Sequence, residues 1–186
     1  MVVKNKKTKN KIVRSPTSRS PEVGLRTIVV VLPDIRSALN VGSIFRTADA
    51  CGVNKIYLAG YTPAPVDQFG RADKQIAKTA LGAEKTLAWE KVKSVSSLLT
   101  KLRKQGFPLI AIEQAKNSVD YKKISCLRRQ EIKEKAAFIF GNEVTGLSKS
   151  ILNKCDIIAE IPMRGDKESL NVAVSAGVAL FRILDI

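Results

Sequence analysis

The stretch Ile161-Pro-Met-Arg-Gly-Asp-Lys-Glu-Ser-Leu-Asn-Val-Ala-Val-Ser-Ala-Gly-Val-Ala-Leu-Phe-Arg-Ile-Leu184 joins a polar loop to a long apolar helix. Ser169 is placed to cap that helix, its hydroxyl accepting from a backbone N–H that otherwise has no partner. Asp166 and Glu168 stand near the helix start, where the dipole favours negative charge. Leu170, Val172, Ala173, Val174, Ala176, Val178, Ala179, Leu180 and Phe181 leave almost no polar face, and a helix apolar all round is a buried one. Its small residues, Ala173, Ala176, Gly177 and Ala179, let another element approach closely. The stretch predicts a polar loop at the mouth of a deeply packed helix. Taken alone, it reads as a C-terminal core helix with an ordinary loop.

Upstream, apolar runs alternate with helical patterns. Thr27–Leu32 is a β-branched run that reads as a buried strand ended by Pro33. A helix from about Ala38 to Cys51 carries Val41, Ile44, Phe45 and Ala48 at helical spacing and stops at Gly52. Lys55–Ala59 is a second strand, followed by a Pro/Gly loop over 60–72, long enough to suggest a function. A helix over Asp73–Leu81, a short strand over Thr86–Trp89 and an amphipathic helix over Ser96–Gln105 come next. Pro108–Glu113 and Ala136–Phe140 read as buried strands, with the polar stretch 114–135 between them unreadable. A short helix over Ser148–Lys154 and a last strand over Asp156–Ile161 complete the chain. This alternation predicts an α/β domain with a mainly parallel sheet flanked by helices.

The 186 residues suit one domain, 26–186, behind a basic tail, 1–25, whose Lys, Arg, Ser and Pro cannot bury enough surface to order it. The net charge of +15 points to a polyanionic partner, RNA or DNA before a lipid surface. The chain has no histidine, which removes imidazole acid–base chemistry and the common zinc sites. Cys51, Cys126 and Cys155 are widely spaced and form no Cys-x-x-Cys pair, so neither a disulfide framework nor a metal site is expected. Reduced thiols and the lack of a secretion signal or membrane-length apolar stretch suggest a cytoplasmic protein.

Gly141-Asn-Glu-Val-Thr-Gly-Leu-Ser148 leaves a strand and enters a helix with the glycine spacing of a phosphate loop. Leu147 replaces the lysine such a loop needs on the terminal phosphates, so nucleotide triphosphate binding is excluded. A strand-to-turn segment with free N–H groups can still hold another ligand at the carboxyl edge of the sheet.

Three stretches are specific together: Asn40-Val-Gly-Ser-Ile-Phe-Arg46 through Gly52-Val, Phe140-Gly-Asn-Glu-Val-Thr-Gly-Leu-Ser148, and Ile161-Pro-Met through Glu168-Ser-Leu-Asn-Val172. In this order they resemble the three motifs of the SpoU (TrmH-like) family of RNA ribose 2′-O-methyltransferases, in the SPOUT superfamily. The resemblance covers roughly residues 26–186. It implies a C-terminal trefoil knot, S-adenosylmethionine as methyl donor without a metal, and a homodimer with the C-terminal helix at its interface. It also implies an RNA substrate. Transfer RNA is the expected class, because a small domain suits a compact substrate; ribosomal RNA and a non-catalytic RNA-binding role are the alternatives.

The resemblance further implies roles for residues. Gly141, Asn142, Glu143, Gly146, Ile161, Met163, Ser169, Leu170 and Asn171 would form the donor pocket, joined by residues after Ile112–Glu113. Glu143 and Asn171 would also tie the motifs together by hydrogen bonds. Arg46 would be the catalytic arginine beside the 2′-hydroxyl, as a base or as an orienting and charge-stabilising group, with Asn40 positioning it or the RNA. By itself Arg46 reads as an exposed helix arginine. Arg36, Arg71, Lys74 and Lys78 are candidate phosphate contacts or simply a solvated basic face. Trp89, Phe107 and Phe138 read as core, and Tyr57 and Tyr61 carry no assignment.

Overall fold

The computed structural model of the chain describes residues 26–124 and 129–186. The basic tail and Cys126 lie outside the described residues. Seven strands form one sheet: β1 (Thr27–Pro33), β2 (Lys55–Ala59), β3 (Ala88–Val92), β4 (Leu109–Ile112), β5 (Val119–Asp120), β6 (Lys135–Phe140) and β7 (Ile157–Glu160). Their order is β3-β2-β1-β6-β4-β7-β5. Every pairing is parallel. All seven carboxyl ends therefore lie along one edge. The chain steps outward from β1 to β3, crosses to β4 and β5, and then returns to insert β6 beside β1 and β7 beside β4. Such a change of direction opens a crevice beyond the strand ends.

Strand alternation sorts the core into two faces. Ile28, Val30, Leu32, Ile56, Leu58, Ile110, Ile112, Phe138 and Phe140 share a cluster with residues of α1 (Ala38–Ala50), α2 (Lys74–Ala80) and α7 (Val172–Leu184). Val29, Val31, Tyr57, Leu109, Ala111, Ala137 and Ile139 pack instead with Leu98, Leu99 and Leu102 of α4 (Val95–Lys104). Trp89, Phe107 and Phe138 are buried, as expected, and so is Tyr57. Shorter elements are α3 (Ala83–Thr86), a 3-10 turn at Tyr121–Lys123, α5 (Arg129–Glu134) and α6 (Lys149–Leu152). Two of these, together with β5, fall in the unreadable stretch 114–135.

Several expectations need correction. Ser169 does not cap α7. Asn171 does, its Oδ1 accepting from the N–H groups of Ala173 and Val174, and the helix begins at Val172. An asparagine next to the first helical residue reaches both amides; Ser169 sits too far outside. The acidic pair 166/168 consequently lies in the loop, not in the first turn. The helix is not buried on every side: Val174 is 51% and Phe181 41% exposed. Pro33 ends β1 as expected, being itself the last paired residue, in register with Ala59. Asp73 is the N-cap of α2 rather than part of it, accepting from Gln75 and Ile76. The strand expected from Thr86 begins at Ala88, because Gly82, in the left-handed region, starts a helical turn that runs to Thr86.

Candidate active site

Loops leaving β4, β6 and β7 enclose a pocket of about 300 Å³, at the lower end of the range for small-molecule sites. Its wall is made first by the loop 141–146. Asn142 Oδ1 accepts from the N–H groups of Val144 and Thr145, and its Nδ2 donates to Thr145 Oγ1. The Gly146 N–H closes the turn on the Asn142 carbonyl at 3.1 Å. The loop is thus shaped by its own asparagine before any ligand arrives.

Glu113 fastens this loop to the end of β4. Its Oε2 accepts from the Leu147 N–H at 2.8 Å. A Cβ on Gly141 would lie 2.6 Å from that oxygen, and one on Gly146 would meet the same carboxylate. Gly146 also has φ +62, a conformation that favours glycine. The carboxylate thus crowds both glycines, and at Gly141 the backbone of Gly146 and Leu147 adds to it. The next residue, Gln114, donates from Nε2 to the Glu168 carbonyl at 2.8 Å and holds the third loop over the pocket.

The expected donor-pocket residues Gly141, Asn142, Glu143, Gly146, Ile161, Met163, Ser169 and Leu170 all line this space. Gln114, in the segment after the strand, joins them, and so does Glu113 at the strand end. Asn171 is not in the lining; its side chain caps α7 and its Nδ2 donates to Asn40 Oδ1 at 3.1 Å. Phe140, Val172 and Ser175 line the pocket without having been anticipated. Val172 and Ser175 are three apart at the start of α7, a spacing that puts them on one helix face.

Asn40 links the motifs. Its Nδ2 donates to Glu143 Oε1 at 2.7 Å while its Oδ1 accepts from Asn171. Ser37 brings Asn40 there by capping α1 and accepting from the Asn40 N–H. The Arg36 N–H donates to Glu143 Oε2 at 3.3 Å. Burial alone would raise the Glu143 carboxyl, but hydrogen bonds from Asn40 and from nearby backbone amides outweigh it and hold its pKa below the ordinary value.

Arg46 is placed differently. Within one chain it lines a shallow depression between α1, α2 and α7 with Ser43, Thr47, Lys78, Thr79 and Phe181, and is not among the pocket-lining residues. It lies nearly two helical turns beyond Asn40, which sets the two at different depths along α1. Lys74 is exposed on α2, Lys78 shares the Arg46 depression, and Arg36 is exposed in the connection between β1 and α1. Arg71 is held by Asp67, its Nε donating to Oδ2 at 2.7 Å.

The pocket chemistry is selective. In a chain of net charge +15, the pocket lining contains Glu113 and Glu143 and no lysine or arginine. That suits a cationic organic ligand and disfavours phosphates. Ile112, Ile161, Leu170 and Val172 add an apolar side for a flat ring. A methyl donor bearing a sulfonium, an ammonium and an adenine fits this set. Burial pushes the Cys51 thiol up to about 11 and the Cys155 thiol up to about 12, so neither is a ready nucleophile. Among the described residues no group of three His, Cys, Asp or Glu gathers where a metal could be held.

The family described as SpoU rRNA Methylase matches residues 27–181. The 23S rRNA (guanosine-2′-O-)-methyltransferase RlmB of Neisseria meningitidis is 31% identical over 153 residues, covering 82% of this chain and 56% of the relative. The chain thus spans little more than half the length of that relative. An AdoMet-bound rRNA methyltransferase from Sinorhizobium meliloti superposes with a TM-score of 0.73 at 27% identity, over 84% of this chain and 55% of the other. The A. aeolicus TrmH/SpoU tRNA modifying enzyme gives 0.72 at 25% identity, over 86% and 75%. A match that spans the three pocket loops and the helix behind them places the chain in the SpoU RNA methylase family.

Proposed function

We propose that the chain transfers a methyl group from S-adenosylmethionine to a ribose 2′-hydroxyl of RNA. The observation that carries this reading is the acid-lined pocket at the strand edge of a strongly basic chain, tied through Asn171, Asn40 and Glu143 to the helix that bears Arg46. When bound, S-adenosylmethionine supplies a methyl already activated for in-line attack by an oxygen. The chain's part is to hold and orient. Glu113 and Glu143 would meet the donor's positive charge, the shaped 141–146 loop would offer backbone contacts, and Ile161 and Leu170 would supply the apolar side. A guanidinium donates hydrogen bonds and accepts none, so Arg46 orients the hydroxyl and stabilises the charge that develops on it.

Arg46 does this from a second copy. An isologous dimer through α1 and α7 would cover the exposed Val174, Phe181 and Leu39 and carry Arg46 with them to the neighbouring pocket. The loop 141–147 is tied to the end of β4 through Glu113 and the loop 161–171 through Gln114, with Asn40 bridging Glu143 and Asn171, which suits a trefoil-knotted thread. Transfer RNA is the compact substrate expected from the sequence. 23S ribosomal RNA is the second reading, favoured by the likeness to RlmB.

The test supplies the purified chain with methyl-labelled S-adenosylmethionine and, separately, unmodified tRNA and rRNA transcripts. Label is expected in a 2′-O-methylnucleoside from one of them. Label on a base, or none in either RNA, overturns the reading. Mixing Arg46→Ala subunits with pocket-defective Gly146→Val subunits separates the two placements of Arg46. Activity returns only if the arginine acts across the dimer.

A further inference from the structure

The loop from Tyr61 to Ala72 holds an aromatic ring in solvent on a rigid mount. Phe69 is 72% exposed. Asp67 fixes the backbone beneath it: Oδ1 accepts from the N–H groups of Phe69 and Arg71, and the Asp67 N–H donates to the Arg71 carbonyl at 3.0 Å. Asp67 Oδ2 takes the Arg71 Nε, which sets the guanidinium over the Phe69 ring, 5.1 Å from its centroid. The loop is anchored at its root by buried Thr62, whose hydroxyl donates to the Leu32 carbonyl and accepts from the Ile35 N–H. At its exit the Asp73 N–H donates to the Pro65 carbonyl. An exposed phenylalanine on so ordered a support is not a loose loop residue.

The placement suits RNA. The loop leaves the carboxyl end of β2, the sheet edge on which the pocket opens, and leads into α2 with its exposed Lys74 and Lys78. A ring backed by a guanidinium and followed by ammonium groups matches a nucleobase and its phosphates. A protein-docking anchor would instead be rimmed by apolar neighbours. Besides Phe69, the loop's large exposed apolar residue is another aromatic, Tyr61, at 57%.

We propose that the open face of Phe69 stacks an unpaired nucleobase of the RNA, with Arg71 bracing the opposite face. The inference rests on the proposed RNA reading and adds a recognition site outside the methyl-donor pocket. It assigns Arg71 to holding the ring rather than to a free phosphate contact.

The test compares the parent chain, Phe69→Ala, Phe69→Trp and Arg71→Ala in binding oligoadenylate and an abasic oligoribonucleotide of equal length. Phe69→Ala should weaken oligoadenylate binding about 5- to 100-fold, the range for loss of one base–aromatic stack. Its affinity for the abasic oligomer and for S-adenosylmethionine should stay at the parent's value. Phe69→Trp should restore binding, and its added indole should be quenched by the adenines. Oligoadenylate affinity of Phe69→Ala within twofold of the parent overturns the proposal while leaving the enzyme reading intact. A parent chain that binds no RNA overturns both.

Discussion

At the scale of single residues, the pocket depends on carboxylates that touch backbone. Glu113 occupies the space where Gly141 and Gly146 lack side chains, but the two glycines differ. Around a Cβ at Gly146 the near atoms all belong to Glu113, whereas at Gly141 the backbone of Gly146 and Leu147 lies 2.8 Å away. Gly146→Ala should therefore lower donor affinity sharply in the parent and much less in a Glu113→Ala background, where only the left-handed strain of about 1–2 kcal/mol remains. Gly141→Ala should be damaging in both. Calorimetric titration of S-adenosylmethionine across the four variants checks this non-additivity. Glu143 gives a pH prediction. Its folded pKa is depressed, so its contribution is present above the unfolded value, near 4.5, and is lost as pH falls through the folded one. Melting temperature should drop with acid below about pH 4.5 partly through this residue. Glu143→Gln should lower stability at neutral pH and flatten the acid limb.

At the scale of elements, α7 is started by the residue that also reports to α1. Asn171 uses its oxygen for the helix amides and its nitrogen for Asn40. Asn171→Asp retains the acceptor and loses the donor, so the helix should keep its stability while methyl transfer falls. Asn171→Ala loses both, at a cost of about 1 kcal/mol for the cap alone. Denaturant midpoints and turnover measured together distinguish these outcomes, and equal stability losses in the two variants would count against the division of labour. The far end of α7 is tied to β1 by the Arg26 guanidinium, which donates to the Leu184 carbonyl at 2.6 Å. The helix that closes the pocket is thus pinned at both ends. On α1, Gly42 has no side chain because the Thr79 hydroxyl and the Ile76 carbonyl of α2 fill that space. This close contact lets α2 present Lys78 beside Arg46.

At the scale of the whole molecule, charge is separated by location. Two carboxylates and no basic side chain line the pocket, while Arg36, Lys74 and Lys78 are exposed. Neutralising Lys74 and Lys78 to Gln should leave S-adenosylmethionine binding unchanged and reduce the slope of log affinity against log salt for RNA by nearly two units if each contacts a phosphate. An unchanged slope would return both to the solvated surface.

Local patterns in the sequence were enough to predict the parallel α/β plan, whereas most pocket residues were named only through the resemblance of three motifs to the SpoU family. Runs such as Thr27–Leu32 and Ala136–Phe140 are apolar enough to specify buried strands, and Gly141–Gly146 announces a turn at a strand end. The cap at Asn171 rather than Ser169 was not legible, because both are capable acceptors and only the backbone path chooses between them. Nor could the sequence show that Glu113 fills two glycine positions, that Asn40 bridges Glu143 and Asn171, or that Arg46 lies outside the pocket of its own chain. Those are contacts between segments up to 131 residues apart, and propensity and periodicity act over a few residues. Only tertiary packing, which brings the ends of β4, β6 and β7 together and orients α1 against α7, decides them.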